Sequence, residues 1–203
     1  MADGIRAGID PHTSNAASWK VERPSAKTGI FGKLYGAQAE KMSKTLKCSV
    51  EEAQAIIDSI DKNMPAIQEL MEKVWTVGRK RGGDIYTLFG QRLRYPDLNS
   101  KSKWKRQRAQ RQCFNALIQG TAAAIQKELT LRALPIIKKY GGKISFAVHD
   151  ETGAYIPTTK LQECLQELNL IYTCTDILSK GECTVPITGL WNAGRHWNEA
   201  KAG

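Results

Sequence analysis

Apolar positions recur along most of the chain at helical spacing. The first dozen residues lack a pattern and read as a loose arm. Pro24 suits the first turn of a helix, which the spacing carries to about Leu46. Ser49 stands three residues before Glu52, a capping box. It opens a helix with Ala53, Ile56, Ile57 and Ile60 on one face. Pro65 starts another, with Ile67, Leu70, Met71, Val74 and Trp75 as its apolar stripe, and Gly82 and Gly83 break the pattern.

The period then changes. "IYTLFGQRLRYPDL" reads as a short hairpin turning at Phe89–Gly90. "NSKSKWKRQRAQRQ" is a basic connector flowing into a helix that continues through "CFNALIQGTAAAIQKELTLRALPIIKKY". "KISFAVHDETGAYIP" predicts two strands meeting at an acidic tip. "TKLQECLQELNLIYTCTDIL" predicts a last amphipathic helix, and "TVPITGLWNAGRHW" a closing strand or tail. Helices followed by a helix packed on an antiparallel hairpin make an α+β fold.

Composition narrows the class. With 203 residues the chain holds one large domain or two small ones, and 41% hydrophobic residues supply a core. No stretch has the apolar length of a membrane span, and "MADGIRAGIDPHTSNAAS" lacks the apolar run of a signal peptide. The five cysteines form no C-x-x-C pair, and their odd number makes a poor disulfide framework. Reduced, packed thiols of a soluble cytoplasmic protein are expected. The net charge of +10 favours a polyanion, most simply nucleic acid, over a merely basic soluble protein.

Candidate chemistry sits in four places. In "RPSAKTGIFGKLYG", Arg23, Lys27, Phe31 and Tyr35 recur every fourth position with Gly29, Gly32 and Gly36 between them. Such a spacing makes a slowly winding helical ridge. Arg and Lys suit phosphates, and Phe and Tyr offer π faces to a base or sugar. The glycines, unfavourable in a helix, would let a flat or bulky group approach the backbone. Chance spacing is the competing reading.

At the tip of "ISFAVHDE", Asp150 and Glu151 offer the oxygen ligands that suit Mg²⁺ shared with substrate phosphates. An exposed turn also commonly carries Asp, and the carboxylates taken alone favour that plain reading. Arg111, Asn115 and Gln119 line one face of the central helix and suit minor-groove acceptors, or plain solvent. Lys103, Lys105 and Arg106 lie with Lys101 and Arg108 around Trp104, as a phosphate-backbone contact or a solvated loop would.

Together these stretches resemble the family A DNA polymerases, the bacterial repair type and its phage replicative relatives. "RPSAKTGIFGKLYG" is similar to the family's R-x3-K-x3-F-x3-Y-G fingers helix, and "VHDE" to its palm hairpin. "RQCFNALIQGTAA", "GQRLRYPDL" and "VPITGLWNAGRHW" also resemble the family, from about Gly8 to the C-terminus. Single-subunit RNA polymerases share the K-to-YG helix but typically carry H-D-S at the hairpin, so "HDE" favours DNA.

The resemblance implies roles. Arg23 and Lys27 would hold the incoming triphosphate, Phe31 pack by the sugar and Tyr35 lie beside the templating base. Lys27, Asp150 and Glu151 would be catalytic, with Asp150 and Glu151 as the metal carboxylates for two Mg²⁺ ions. Arg111, Asn115, Gln119 and His149, with Lys103, Lys105 and Arg106, would contact DNA. The implied layout is an arm at 1–15, fingers at 16–100 and the C-terminal half of a right-hand palm at 101–203.

One family motif is missing. No D-x-S-x-x-E occurs in the 203 residues, and its Asp is the family's other metal-bridging carboxylate. Thumb, first half of the palm and proofreading domain are also absent. The reading is therefore the C-terminal subunit of a split polymerase, of the phage-encoded kind and working in the host cytoplasm. It would add dNTPs to a primer 3′-hydroxyl by two-metal transfer. A second polypeptide would bring the missing Asp, the thumb and any exonuclease. The initial Met and family-like tail suggest a complete gene product, with truncation as the other explanation. The alternative function is a non-catalytic DNA-binding or replication-assembly module.

Overall fold

The computed structural model describes residues 9–19, 21–171 and 189–202. They form two compact units divided between Thr121 and Ala122, inside one long helix. The fold is α+β, with helices throughout and two antiparallel hairpins.

The first unit opens with α1 (Pro11–Trp19), which begins within the stretch expected to be a loose arm and runs past its end. Asp10 caps it: the Thr13 N–H and hydroxyl donate to Asp10 Oδ2 at 2.8 and 2.7 Å. The single helix expected from Pro24 to Leu46 is two, α2 (Arg23–Leu34) and α3 (Ala39–Leu46). The break falls at Gly36, with φ 75°, a left-handed conformation that glycine adopts without a Cβ clash. A Cβ there would also stand 2.7 Å from Arg111 Cγ.

Helix α4 (Val50–Asn63) carries the expected capping box: Glu52 N–H donates to Ser49 Oγ at 3.0 Å and Ser49 N–H to Glu52 Oε2 at 2.8 Å. Its Ala53, Ile56, Ile57 and Ile60 join Ile30 of α2 and Met42 of α3 in one core. Each isoleucine so buried contributes about 2 kcal/mol. Trp19 closes that core, its indole N–H donating to Ser59 Oγ at 2.9 Å.

Helix α5 (Pro65–Lys80) leads to a hairpin of β1 (Asp84–Tyr86) and β2 (Arg92–Arg94), pairing Ile85 with Leu93. The turn lies where the sequence put it, with Gly90 N–H donating to the Thr87 carbonyl at 2.9 Å. A 3-10 turn (Pro96–Asn99) then precedes α6 (Lys103–Lys139). The expected basic connector is mostly the first turns of α6. Ile85, Leu98, Ala109 and Cys113 make a second core, where burial pushes the Cys113 thiol up to about 11.

The second unit continues α6 into a hairpin of β3 (Lys143–Val148) and β4 (Glu151–Tyr155), with Val148 opposite Glu151. Among the described residues this sheet has only these two strands. Ala133, Ile136 and Ile137 of α6 pack against Cys164 and Leu168 of α7 (Leu161–Ile171). Residues 172–178 of the expected last helix, and Cys174 and Cys183, lie outside the described residues. So does the start of the expected closing segment; its described part, 189–196, has no strand and leads into α8 (Trp197–Ala202). Cys48, Cys113 and Cys164 are free thiols. No helix among the described residues is long and apolar enough to cross a membrane.

Candidate functional site

The fingers ridge forms on α2 and its C-cap. Arg23, Lys27 and Tyr35 are exposed and Phe31 half-buried. Lys27 Nζ lies 5.9 Å from the Phe31 ring centre, and Phe31 stacks on Tyr35 at 6.1 Å with 19° between the planes. Lys27, Phe31 and Tyr35 also line an open cavity of about 420 Å³, with Gly32, Lys41 and Met42 among its other walls. Two of the glycines admit protein rather than a ligand. Gly29 is buried against Trp19 and Ile56, at 3.5 and 3.6 Å from where a Cβ would be, and Gly36 makes the turn after Tyr35. The reading of all three as room for a ligand is thus corrected.

Arg23 is not a free phosphate hook. Its Nε and Nη2 donate to Asp10 Oδ2 and Oδ1 at 2.8 and 3.2 Å, while Nη1 has no partner among the described residues. The Arg23 guanidinium and Thr13 hydroxyl hold the Asp10 carboxyl far below the usual carboxylate range. His12 stands beside this pair, its ring 5.9 Å from Phe31 and its Nδ1 buried without a partner among the described residues. Burial lowers the His12 pKa, opposed by the Asp10 charge. Asp10 and His12 received no role from the sequence. Asp10 followed by Pro11 is nonetheless the N-cap and N1 signature of a helix start, and it announces this corner.

Tyr35 joins the ridge to the central helix: Gln119 Nε2 donates to Tyr35 Oη at 3.0 Å. Arg111, two turns back along α6, passes over Gly36. Asn115, between them, has a buried Oδ1 with no partner among the described residues. The expected alignment of Arg111, Asn115 and Gln119 therefore exists in the first unit, next to Tyr35 and Gly36. At the start of α6, Lys103, Lys105 and Arg108 are exposed. Arg106 is occupied otherwise, its Nη1 donating to the Ser100 carbonyl at 2.8 Å ahead of the helix.

The acidic tip belongs to the second unit. His149, with φ 54°, and Asp150 make the two-residue turn between β3 and β4, and both are exposed. Glu151 is engaged: Lys201 Nζ donates to Oε1 at 2.6 Å and the Trp197 indole N–H to Oε2 at 3.1 Å. The Lys201 ammonium holds the Glu151 carboxyl below its usual range. Trp197 meets Phe146 edge-on at 5.7 Å. The Phe146 ring in turn lies across Gly153, where any Cβ would strike it.

Asp150 fits a metal ion as one open carboxylate ligand. Glu151, with both oxygens engaged, does not. No group of three or more His, Cys, Asp or Glu that could hold an ion occurs among the described residues.

Comparison with known proteins gives this arrangement its context. The sequence profile of DNA polymerase family A matches residues 1–199. The thermostable DNA polymerase I of Thermus thermophilus is 37% identical over 169 residues, covering 78% of this chain and 20% of that protein. DNA polymerase I of Streptococcus pneumoniae is 32% identical over 213 residues, covering 99% of this chain and 24% of the relative. The chain thus spans about a quarter or less of these relatives' length. Among solved structures, the polymerase domain of M. smegmatis Pol1, in complex with DNA primer–template and dNTP, superposes with a TM-score of 0.83. It is 26% identical, and the match covers 98% of this chain and 36% of that one. By profile, sequence and fold, the chain belongs to DNA polymerase family A.

Proposed function

We propose that the chain supplies the fingers and the C-terminal palm of a DNA-directed DNA polymerase. The observation that carries this reading is the Tyr35–Gln119 hydrogen bond, which couples the Arg23–Lys27–Phe31–Tyr35 ridge to the polar face of α6. A ridge with cations at one end and stacked rings at the other suits a nucleoside triphosphate. The polar face beside it suits the paired bases of a primer–template. The M. smegmatis relative, described with primer–template and dNTP, supports the same pair of ligands.

In this reading Lys27 holds the triphosphate and stabilises charge as it develops on the phosphates. Arg23, aligned by Asp10, offers Nη1 to the same anion. Phe31 and Tyr35 receive sugar and base, and Arg111, Asn115 and Gln119 position the DNA. Asp150 would be one ligand of a magnesium site completed by the carboxylate of the missing D-x-S-x-x-E motif. Magnesium would activate the primer hydroxyl and steady the leaving pyrophosphate.

That motif, the remaining palm strands and the thumb come from outside these residues, on a second polypeptide. The two-stranded β3–β4 hairpin supports the addition of further palm strands, because each of its outer edges is open to further pairing among the described residues. The test is reconstitution. The chain, mixed at micromolar concentration with a polypeptide carrying the first palm half and thumb, should form a heterodimer by light scattering. It should then add a single dNTP to a primer. Halves that stay separate and inactive overturn the split-enzyme reading. A non-catalytic DNA-binding module is the second reading, favoured by the engagement of Glu151 with Lys201 and Trp197. DNA binding without nucleotide addition in the mixture would select it.

A further inference from the structure

The start of α6 breaks a rule that most helices keep. The N-terminal end of a helix carries the positive pole of its dipole and favours Asp and Glu. The first turn of α6 has no acid and begins with Lys103, Lys105 and Arg106. From Leu98 to Lys127 the sequence contains no Asp or Glu at all. Lys101, Lys103, Lys105 and Arg108 are exposed and form no ion pair among the described residues. Such a concentration of cations is relieved by an anionic partner.

An indole stands in the middle of this field. Trp104 is 62% exposed, with the Arg108 guanidinium 5.6 Å from its ring centre. Trp104, Arg108, Arg111 and Asn115 follow at intervals of four, three and four residues, so they share one face of α6 within an arc of about 60°. Trp104 lies about 10 Å along the axis from Arg111. The aromatic site is thus the outward continuation of the polar face described above.

We propose that Trp104 and Arg108 form a stacking site for an unpaired base of single-stranded nucleic acid, with Lys101, Lys103 and Lys105 taking its phosphates. A base within a duplex has its faces covered by its neighbours and offers the lysines only its backbone. An unpaired base offers a π face, which an exposed indole takes whatever the sequence. The ligand is the single-stranded template extending past the primer–template. The site deepens the proposed function but stands on this patch alone.

The test uses the full chain and two fluorescein-labelled probes, a mixed-sequence 15-mer and its blunt duplex, followed by anisotropy across a salt series. Trp104→Ala should weaken single-strand binding by about 5- to 150-fold and leave duplex binding within about twofold. Trp104→Phe, which keeps a π face, should retain most of the affinity. The salt slope of Trp104→Ala should match wild type, because no charge is lost, whereas Arg108→Ala should lower it by about 0.7 on the single strand. Circular dichroism should show unchanged helix content in each variant.

Equal losses on both probes, no loss on the single strand, or a wild-type chain that ignores the single strand would overturn the site. Failure of nucleotide addition in the reconstituted mixture, with the Trp104 effect intact, would remove the polymerase reading and leave this site standing.

Discussion

Arg23 and Lys27 are chemically alike in the sequence, yet the structure separates them. Arg23 is fixed along one edge by Asp10, while Lys27 forms no ion pair among the described residues. On the proposed reading, Lys27 would therefore be the one of these two cations free to follow charge as it moves on a triphosphate. In the reconstituted polymerase, Lys27→Ala should lower single-turnover incorporation by about 10² to 10³, with primer–template binding unchanged. The two adjacent carboxylates at the hairpin separate in the same way. Asp150→Asn should nearly abolish synthesis and spare DNA binding. Glu151→Gln should be milder, since that side chain faces Lys201 and Trp197. Equal effects of the two changes in the incorporation assay would refute the division of roles.

Two elements depend on single contacts. The turn between α2 and α3 requires Gly36 at φ 75°, with Arg111 lying over it. Gly36→Ala adds left-handed strain and a clash with Arg111, and should destabilise the chain by about 1–3 kcal/mol, read as a lower urea midpoint. Helix α8 is held to the β3–β4 hairpin through Glu151. A carboxyl whose folded pKa is lowered stabilises the fold above its unfolded pKa, and that contribution is lost as pH falls through the folded value. The Trp197–Glu151 contact should therefore hold at neutral pH and loosen in the acid range below the ordinary Glu value of about 4.3. Fluorescence of Trp197, isolated by comparison with Trp197→Phe, should report that acid transition. Glu151→Gln should remove its carboxylate component.

At the scale of the whole molecule, charge dominates. A chain with 30 Lys and Arg against 20 Asp and Glu should bind DNA with an affinity that falls steeply with salt. Lys103→Ala with Lys105→Ala should flatten that slope without changing sequence preference, because both are exposed cations. Arg106→Ala belongs to another class. Its guanidinium satisfies the Ser100 carbonyl, so its loss should appear first in thermal stability. A slope unchanged by the double lysine variant would assign the start of α6 to solvent.

The sequence by itself determined the elements whose signals are local. The capping box at Ser49, the turn at Gly90 and the hairpin ending in His149–Asp150 form where the pattern put them. Each depends on contacts between residues a few positions apart. The ridge from Arg23 to Tyr35 was legible for the same reason, since one helix face is set by spacing alone. What depended on distant residues was not legible. Helical periodicity runs through Gly36, because the break is decided by Arg111, 75 positions away, and by the packing of α3 on the Ile56 core. Asp10 holding Arg23, Gln119 reaching Tyr35 and Lys201 neutralising Glu151 span 13, 84 and 50 positions. Sequence listed the charged and aromatic groups, but only tertiary structure decided which were already engaged and which remained open to a ligand. That difference arises because a side chain's availability depends on the partners the fold brings to it, and spacing along the chain carries no record of them.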